Sequence, residues 1–266
     1  MSRCTFFLAG ICGSLMLSTS IAFGIEPAVG TIIDARTNGK VQGRLEIELK
    51  VTGEEVSEVE GLRANVISAI DETGRDLTDV LRVDKQSHFV NVAGPEKTVR
   101  LFLKSPSRRA SVLKELVGRL DLFMPDNDPE ATLVISDFSE KTGKPLESAT
   151  LKNSGIELTF YNKQQYEQLI KSQPTRPAAG GLVSISNLDD NSLILKLNDP
   201  ESRIVELEFQ TESGERIRPR GTTGAGNVQA FFFPQALPSK ARLKIEVATL
   251  KSVVRVPFSF ENVLLP

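Results

Sequence analysis

The sequence has no tryptophan, one histidine, two tyrosines and two cysteines. Both cysteines, Cys4 and Cys12, lie at the N-terminal end, ahead of any strand pattern. A chain cut after residue 24 keeps neither, so disulfides cannot hold it and its stability must come from burial. Nucleophilic catalysis by Ser-His-Asp or Cys-His logic needs an imidazole or a thiol. His88 alone remains, in "KQSHFVNV" at the start of a strand pattern, where a surface or strand-end histidine is expected. Without a second histidine or a cysteine there is no ordinary nitrogen–sulfur zinc site. Glycine-rich stretches with P-loop or dinucleotide spacing are also missing. "GTTGAG" (Gly221 to Gly226) lacks a following lysine and opens no helix, so it reads as a flexible loop.

Apolar runs are short as well. The longest, from about Phe6 to Met16, follows Arg3 and precedes small residues at Ser20, Ala22 and Gly24. That order is the layout of a cleaved secretory signal peptide, residues 1–24. The run falls below the ~20 apolar residues that a membrane span needs. Ile11 stands where a lipoprotein signal has a small residue, so Cys12 is not expected to carry a lipid. Losing Arg3 leaves 31 basic against 34 acidic side chains. Such balance makes no electrostatic case for nucleic acid or an anionic membrane as partner.

What the chain does have is alternation with period two. Leu45, Ile47, Leu49 and Val51 share one face of "LEIELKV", and Val205, Leu207 and Phe209 share one face of "VELEF". "VRLFLK" (Val99, Leu101, Leu103), "LKIEV" (Leu243, Ile245, Val247) and "VRVPFSF" (Val254, Val256, Phe258, Phe260) repeat the pattern. Each reads as a strand with one face in a core and one in water, the signature of antiparallel sheets. Roughly fifteen such candidates alternate with short polar turns, the spacing of an all-β sandwich or barrel.

Segments also recur. "NDPEATLVISDFSEKTGKPL" from Asn127 matches "NDPESRIVELEFQTESGERI" from Asn198, and "LRANVISAIDETGRDL" from Leu62 is a looser copy. Each holds a strand followed by a turn ending in Gly74, Gly143 or Gly214. A type I turn closed by a left-handed glycine makes a hairpin with a bulge. The recurrence is therefore expected to be scaffold, not a repeated active site. "AGPEKTVRLFL" resembles "ALPSKARLKI", and "LKELVGRLDLF" resembles "LKSVVRVPFSF", so residues 44–124 and 192–260 look like two copies of one unit. "SRRASVLKELVG" (Ser107 to Gly118) has helix formers and a capping serine, but this parallel points to a crossover turn.

"NKQQYEQLIK" reads as a short helix, and "SQPTRPAAGG" (Ser172 to Gly181) as a linker. The expected organisation is an N-terminal β-sandwich over residues 25–162, a short helix and Pro/Gly linker over 163–181, and a C-terminal β-sandwich over 182–266. Three units of about seventy residues also fit, but each would have a small core without disulfides. The pattern resembles the tandem immunoglobulin-like or fibronectin-like modules of secreted bacterial proteins. The Cys–Trp–Cys core of true immunoglobulin domains is absent, and the resemblance concerns architecture only.

No catalytic, cofactor-binding or metal-binding residue is singled out. Paired carboxylates can do glycoside chemistry, but most of the acids fall on outward strand faces. "PDNDPE" (Pro125 to Glu130) and "NLDDN" (Asn187 to Asn191) are oxygen-rich loops of the kind that bind calcium, and equally good turn formers. Tyr161 and Tyr166 are the available platform for stacking a sugar. "FFF" (Phe231 to Phe233) reads as core plus edge. The expectation is a secreted or periplasmic, non-enzymatic structural or protein-interaction protein without a cofactor. Its partner would be another secreted or cell-envelope protein, engaged through a sheet face or edge. The alternative is a cell-surface module that binds glycan or another ligand, stabilised by calcium.

Overall fold

A computed structural model describes residues 24–35, 43–78, 88–92, 97–172, 186 and 188–266. Residues 1–23, which hold both cysteines and most of the expected signal peptide 1–24, and residues 173–185, which hold most of the expected linker, lie outside the described residues. The fold is all-β, with four antiparallel sheets, none closed into a barrel, and two helices among the described residues. No described helix is long and apolar enough to cross a membrane.

Two sheets enclose the first core. One runs β1 (Ile25–Ala35), β2 (Arg44–Gly53), β5 (Lys97–Lys104). The other runs β15 (Val253–Leu264), β6 (Val112–Phe123), β3 (Gly61–Asp71), β4 (Val90–Asn91). The alternating residues do what their period dictates. Leu45, Ile47, Leu49, Leu101 and Leu103 are buried in this core, and Val254, Val256 and Phe260 pack against it beside buried Phe258. Full burial of such a side chain contributes about 1.5–3 kcal/mol. Gly118 of β6 leaves the space that the Phe258 ring fills, because a Cβ there would lie 2.4 Å from Phe258 Cζ and 2.5 Å from the Asn65 carbonyl. Pro257, which has no N–H to give, stands in β15 at the sheet's edge, where that loss is tolerated. Ser107 to Ala110 forms a turn and not a helix, closed by the Ala110 N–H on the Ser107 carbonyl.

The second core also lies between two sheets. One runs β11 (Arg216–Ile217), β10 (Ile204–Gln210), β14 (Arg242–Val247), β7 (Thr132–Ser136). The other runs β12 (Gly221–Ala225), β13 (Val228–Phe232), β9 (Ser192–Asn198), β8 (Glu157–Asn162). Phe138, Phe160, Phe209, Phe231 and Phe233 form its aromatic centre. The remaining ring of "FFF", Phe232, packs in a satellite cluster with Tyr166. "GTTGAG" is not a flexible loop. Gly221–Ala225 is strand β12, and Gly226, at φ 59°, starts the two-residue turn into β13. The helices are α1 (Ala149–Asn153) and α2 (Lys163–Ser172). Asn162 caps α2 reciprocally with Gln165: Asn162 Oδ1 accepts from the Gln165 N–H at 2.9 Å, and Gln165 Oε1 from the Asn162 N–H at 3.0 Å.

Strand pairing runs across the boundary expected at residues 163–181. β7 and β8 precede it but pair with β14 and β9, and β15 follows it but pairs with β6. The two recurring "NDPE" strands, β7 and β10, flank β14 from opposite sides: Leu243 meets Ile135 on one side and Phe209 on the other. Similar segments thus take different partners, because an apolar stripe specifies a face to bury and not a neighbour.

Two of the three glycine turns are the expected bulged hairpin. Asp71 O accepts from the Gly74 N–H while the Asp71 N–H reaches Arg75 O, and Thr211, Gly214 and Glu215 repeat both bonds. Gly74 and Gly214 sit at φ 84° and 90°. The middle copy differs. Asp137, at φ 54°, ends β7, and residues Phe138–Lys141 turn in a short 3-10 helix that carries Phe138 into the aromatic centre. Gly143 keeps a left-handed φ of 82°, but its N–H bonds Phe160 O on β8. Burial of the phenyl ring overrides the hairpin there.

Candidate functional site

The most organised polar structure joins the two cores. The end of β6 and the residue after it are buried without interruption from Leu120 to Met124, because one face meets the first core and the other meets this junction. Asp121 is 1% exposed. Its Oδ2 accepts from Arg63 Nη2 at 2.9 Å, Arg63 Nε at 3.1 Å and Asn65 Nδ2 at 3.1 Å, and its Oδ1 from Arg119 Nε at 2.8 Å. So many donors offset the cost of burying a carboxylate. The Arg63 guanidinium continues outward. Its Nη1 donates to the carbonyls of Glu201 and Ser202 at 3.1 and 3.2 Å, and its carbon lies 4.4 Å from the centre of the Phe89 ring. Arg63 therefore ties β3 to the turn that opens the second "NDPE" copy.

That turn is built by its aspartate. Asp199 accepts from the N–H groups of Arg203 and Ile204 at 2.9 and 2.8 Å, and holds Ser202 at φ 51°. In the first copy, Asp128 accepts from the Glu130 N–H at 3.1 Å and from Thr249 Oγ1 at 2.6 Å. The Thr249 hydroxyl and the Glu130 N–H hold the Asp128 carboxyl below its usual range. Both "NDPE" aspartates thus serve the backbone of a turn, the role that the recurrence suggested. In "NLDDN", Asp189 accepts from Asn191 N–H and Ser192 Oγ and pairs with Arg220, while Asn187 lies outside the described residues. Among the described residues no group of three or more His, Cys, Asp or Glu side chains is placed to hold a metal.

An apolar plug seals the junction: Phe89, Phe123, Ala131 and Ala248, with Val205 and Val253 against them. The pattern in "VELEF" had put Val205 on the face of Leu207 and Phe209. The register shows why it is elsewhere. Ile204 pairs with Val247 and Glu206 with Glu246, so Val205 is an extra residue in a bulge. The bulge turns Val205 out of the second core and toward Gly61, whose absent side chain admits it.

Five acids are nevertheless buried: Glu46, Asp71, Asp121, Asp128 and Glu246. Glu246 accepts from Lys244 Nζ at 2.7 Å. Burial raises the carboxyl of neighbouring Glu60, and the Glu246 charge adds to the rise. Burial alone would lower the Lys244 ammonium, but the Glu246 hydrogen bond and the nearby carboxylates outweigh it and hold it above its ordinary value.

Beside the junction a groove of about 790 Å³ opens between β10, the Asn198–Pro200 turn and the β12–β13 hairpin. His88, which is exposed, stands at its rim. Leu197, Ile204, Leu207 and Phe231 provide the apolar lining, and Thr222, Thr223 and Gln229 the polar one. The tyrosines expected to form a platform lie elsewhere. Tyr166 is 1% exposed, and its ring packs 6.5 Å from that of half-buried Tyr161, so Tyr166 offers no face to solvent. Neither the junction nor the groove was singled out from sequence; the one available signal was Asp121, an acid inside the apolar run "LDLFM". The chain matches no protein-family model, no curated protein and no solved structure.

Proposed function

We propose that this is an exported, non-enzymatic protein-interaction or structural protein, in which two β-sandwich modules of the immunoglobulin-like or fibronectin-like kind form one stiff body. The first module would comprise β1 to β6 closed by β15, and the second β7 to β14. The observation that carries the reading is the junction. The half-buried Arg63 paired with buried Asp121, two backbone carbonyls and an apolar plug all serve to set one sandwich against the other. Such fixing suits a protein that presents surfaces at a set geometry, as a subunit or adaptor does. Export to the periplasm or exterior rests on the N-terminal pattern.

The test is cross-linking in the native cell, followed by affinity recovery of the tagged protein and N-terminal sequencing of what is recovered. A defined envelope or secreted protein at near-stoichiometric yield, with a mature N-terminus near residue 25, supports the proposal. Recovery alone or with polysaccharide defeats it in favour of ligand binding.

A further inference from the structure

The groove has the shape of a missing strand. β11 pairs with β10 only at Phe209 and Gln210. The Thr211 N–H bonds toward the β11 side. Backbone groups alternate along a strand, so those of Phe209 and Leu207 face the same side. Among the described residues no strand pairs with β10 there from Ile204 to Glu208. Three other edges are guarded: β15 carries Pro257, β1 is broken by a register shift between Val29 and Ile32, and β8 is bridged by Pro145. At the β10 edge the sandwich is parted, and Leu197, Ile204 and Leu207 are only half-buried. β4 closes one end, where Asn91 Nδ2 donates to Glu206 Oε2 at 2.7 Å, and β11 closes the other. Between them Leu207 and Glu208 continue β10, about 7 Å at ~3.3 Å per residue.

The geometry points to β-strand addition: a short extended segment of a partner polypeptide pairs with β10 and sends alternate apolar side chains into the slot between Leu207, Leu197 and Phe231. Backbone groups at Leu207 call for a peptide, since only a strand matches their spacing. The charges in the lining say which kind. Asp199 and Glu206 are the groove's charged residues and no lysine or arginine lines it; Arg216 pairs with Glu206 at 2.7 Å from the β11 side, which leaves a net excess of acid, so the incoming strand carries lysine or arginine on its outward positions. This inference rests on the interaction reading above and names the partner's chemistry.

Random twelve-residue peptides displayed on phage would be selected on the purified protein. An enriched sequence would then be synthesised and its affinity measured by fluorescence anisotropy. Thr222 lies opposite Phe231 on the inner face of the parted sandwich and is exposed, so Thr222→Arg fills the slot without disturbing the core. The expected result is enrichment of sequences with apolar residues at every second position and basic residues between. Binding should weaken at least about tenfold in Thr222→Arg, with an unchanged melting temperature. Glu206→Lys should weaken it independently, and the Leu207 amide should gain protection from hydrogen exchange when peptide is bound. No enrichment, or binding indifferent to Thr222→Arg, overturns the groove. A dimer dissociated by Thr222→Arg would also overturn it, since the slot would then belong to a second copy. If native cross-linking finds a partner whose yield Thr222→Arg leaves intact, the interaction reading survives and the groove does not. If the wild type is recovered alone, that reading falls, while peptide selection judges the groove by itself.

Discussion

Arg63→Ala should do more than weaken the fold; it should uncouple its halves. The side chain is 16% exposed, bonds the almost fully buried Asp121 through two nitrogens and reaches two carbonyls across the junction. Breaking a buried ion pair by removing one partner costs about 3–5 kcal/mol. Asp121 retains Arg119 and Asn65, which moves the figure toward the lower end. The contact with Phe89 adds about 0.5–2 kcal/mol. A total near ~4 kcal/mol corresponds to roughly 8–16 °C in Tm for a chain of this size. Because the carbonyls of Glu201 and Ser202 belong to the other side of the junction, the loss falls on the coupling between cores. Calorimetry should therefore show one transition in the wild type and two in Arg63→Ala. A double cycle with Asp121→Asn isolates the pair. A single transition within ~1 kcal/mol of the wild type would falsify the assignment of Arg63 as the tie.

Other outcomes follow from local geometry. Gly118→Ala forces a Cβ against Phe258 and the Asn65 carbonyl; since that carbonyl belongs to a paired strand, about 1–3 kcal/mol should be lost in urea denaturation. A fully stable variant would mean that Phe258 does not cross β6 there. Gly143→Val and Gly214→Val place β-branched residues at φ 82° and 90° and should each cost about 1–3 kcal/mol, read as Tm; two unchanged Tm values would remove the left-handed turns. Asp71 is fully buried. Burial pushes its carboxyl up, but hydrogen bonds from the Thr73 hydroxyl and the Ser107, Arg75 and Thr73 N–H groups outweigh it and leave it below its ordinary value. A depressed carboxylate contributes stability above its unfolded value near ~3.9, lost as pH falls through the lower folded value. Tm should therefore drop below about pH 4, less steeply in Asp71→Asn; identical acid slopes would contradict it.

The strands were legible in the sequence because burial on one face writes a period of two. "LEIELKV", "VRLFLK" and "LKIEV" all bury the residues their alternation marks. The glycine turns at Gly74 and Gly214 were legible for a similar reason, since left-handed backbone selects glycine. Both signals are local. Val205 escaped the same rule because a bulge depends on the partner strand's register. Gly143 kept its conformation but not its hairpin, because the ring of Phe138, once buried, draws the chain away from β7's partner. The junction was still less visible: Arg63, Asp121 and Ser202 are far apart in sequence, and nothing local marks their meeting.

The sequence by itself determined that this protein is all-β, and turned where glycine or aspartate serves the backbone. Tertiary structure decided which strand lies beside which: β15 against β6, β7 and β10 on either side of β14, and β10 with part of its edge unpaired among the described residues. The reason is physical. Alternation specifies which face of a strand leaves water, whereas the identity of its neighbour depends on bulges, buried charges and ring packing that exist only once distant segments have met.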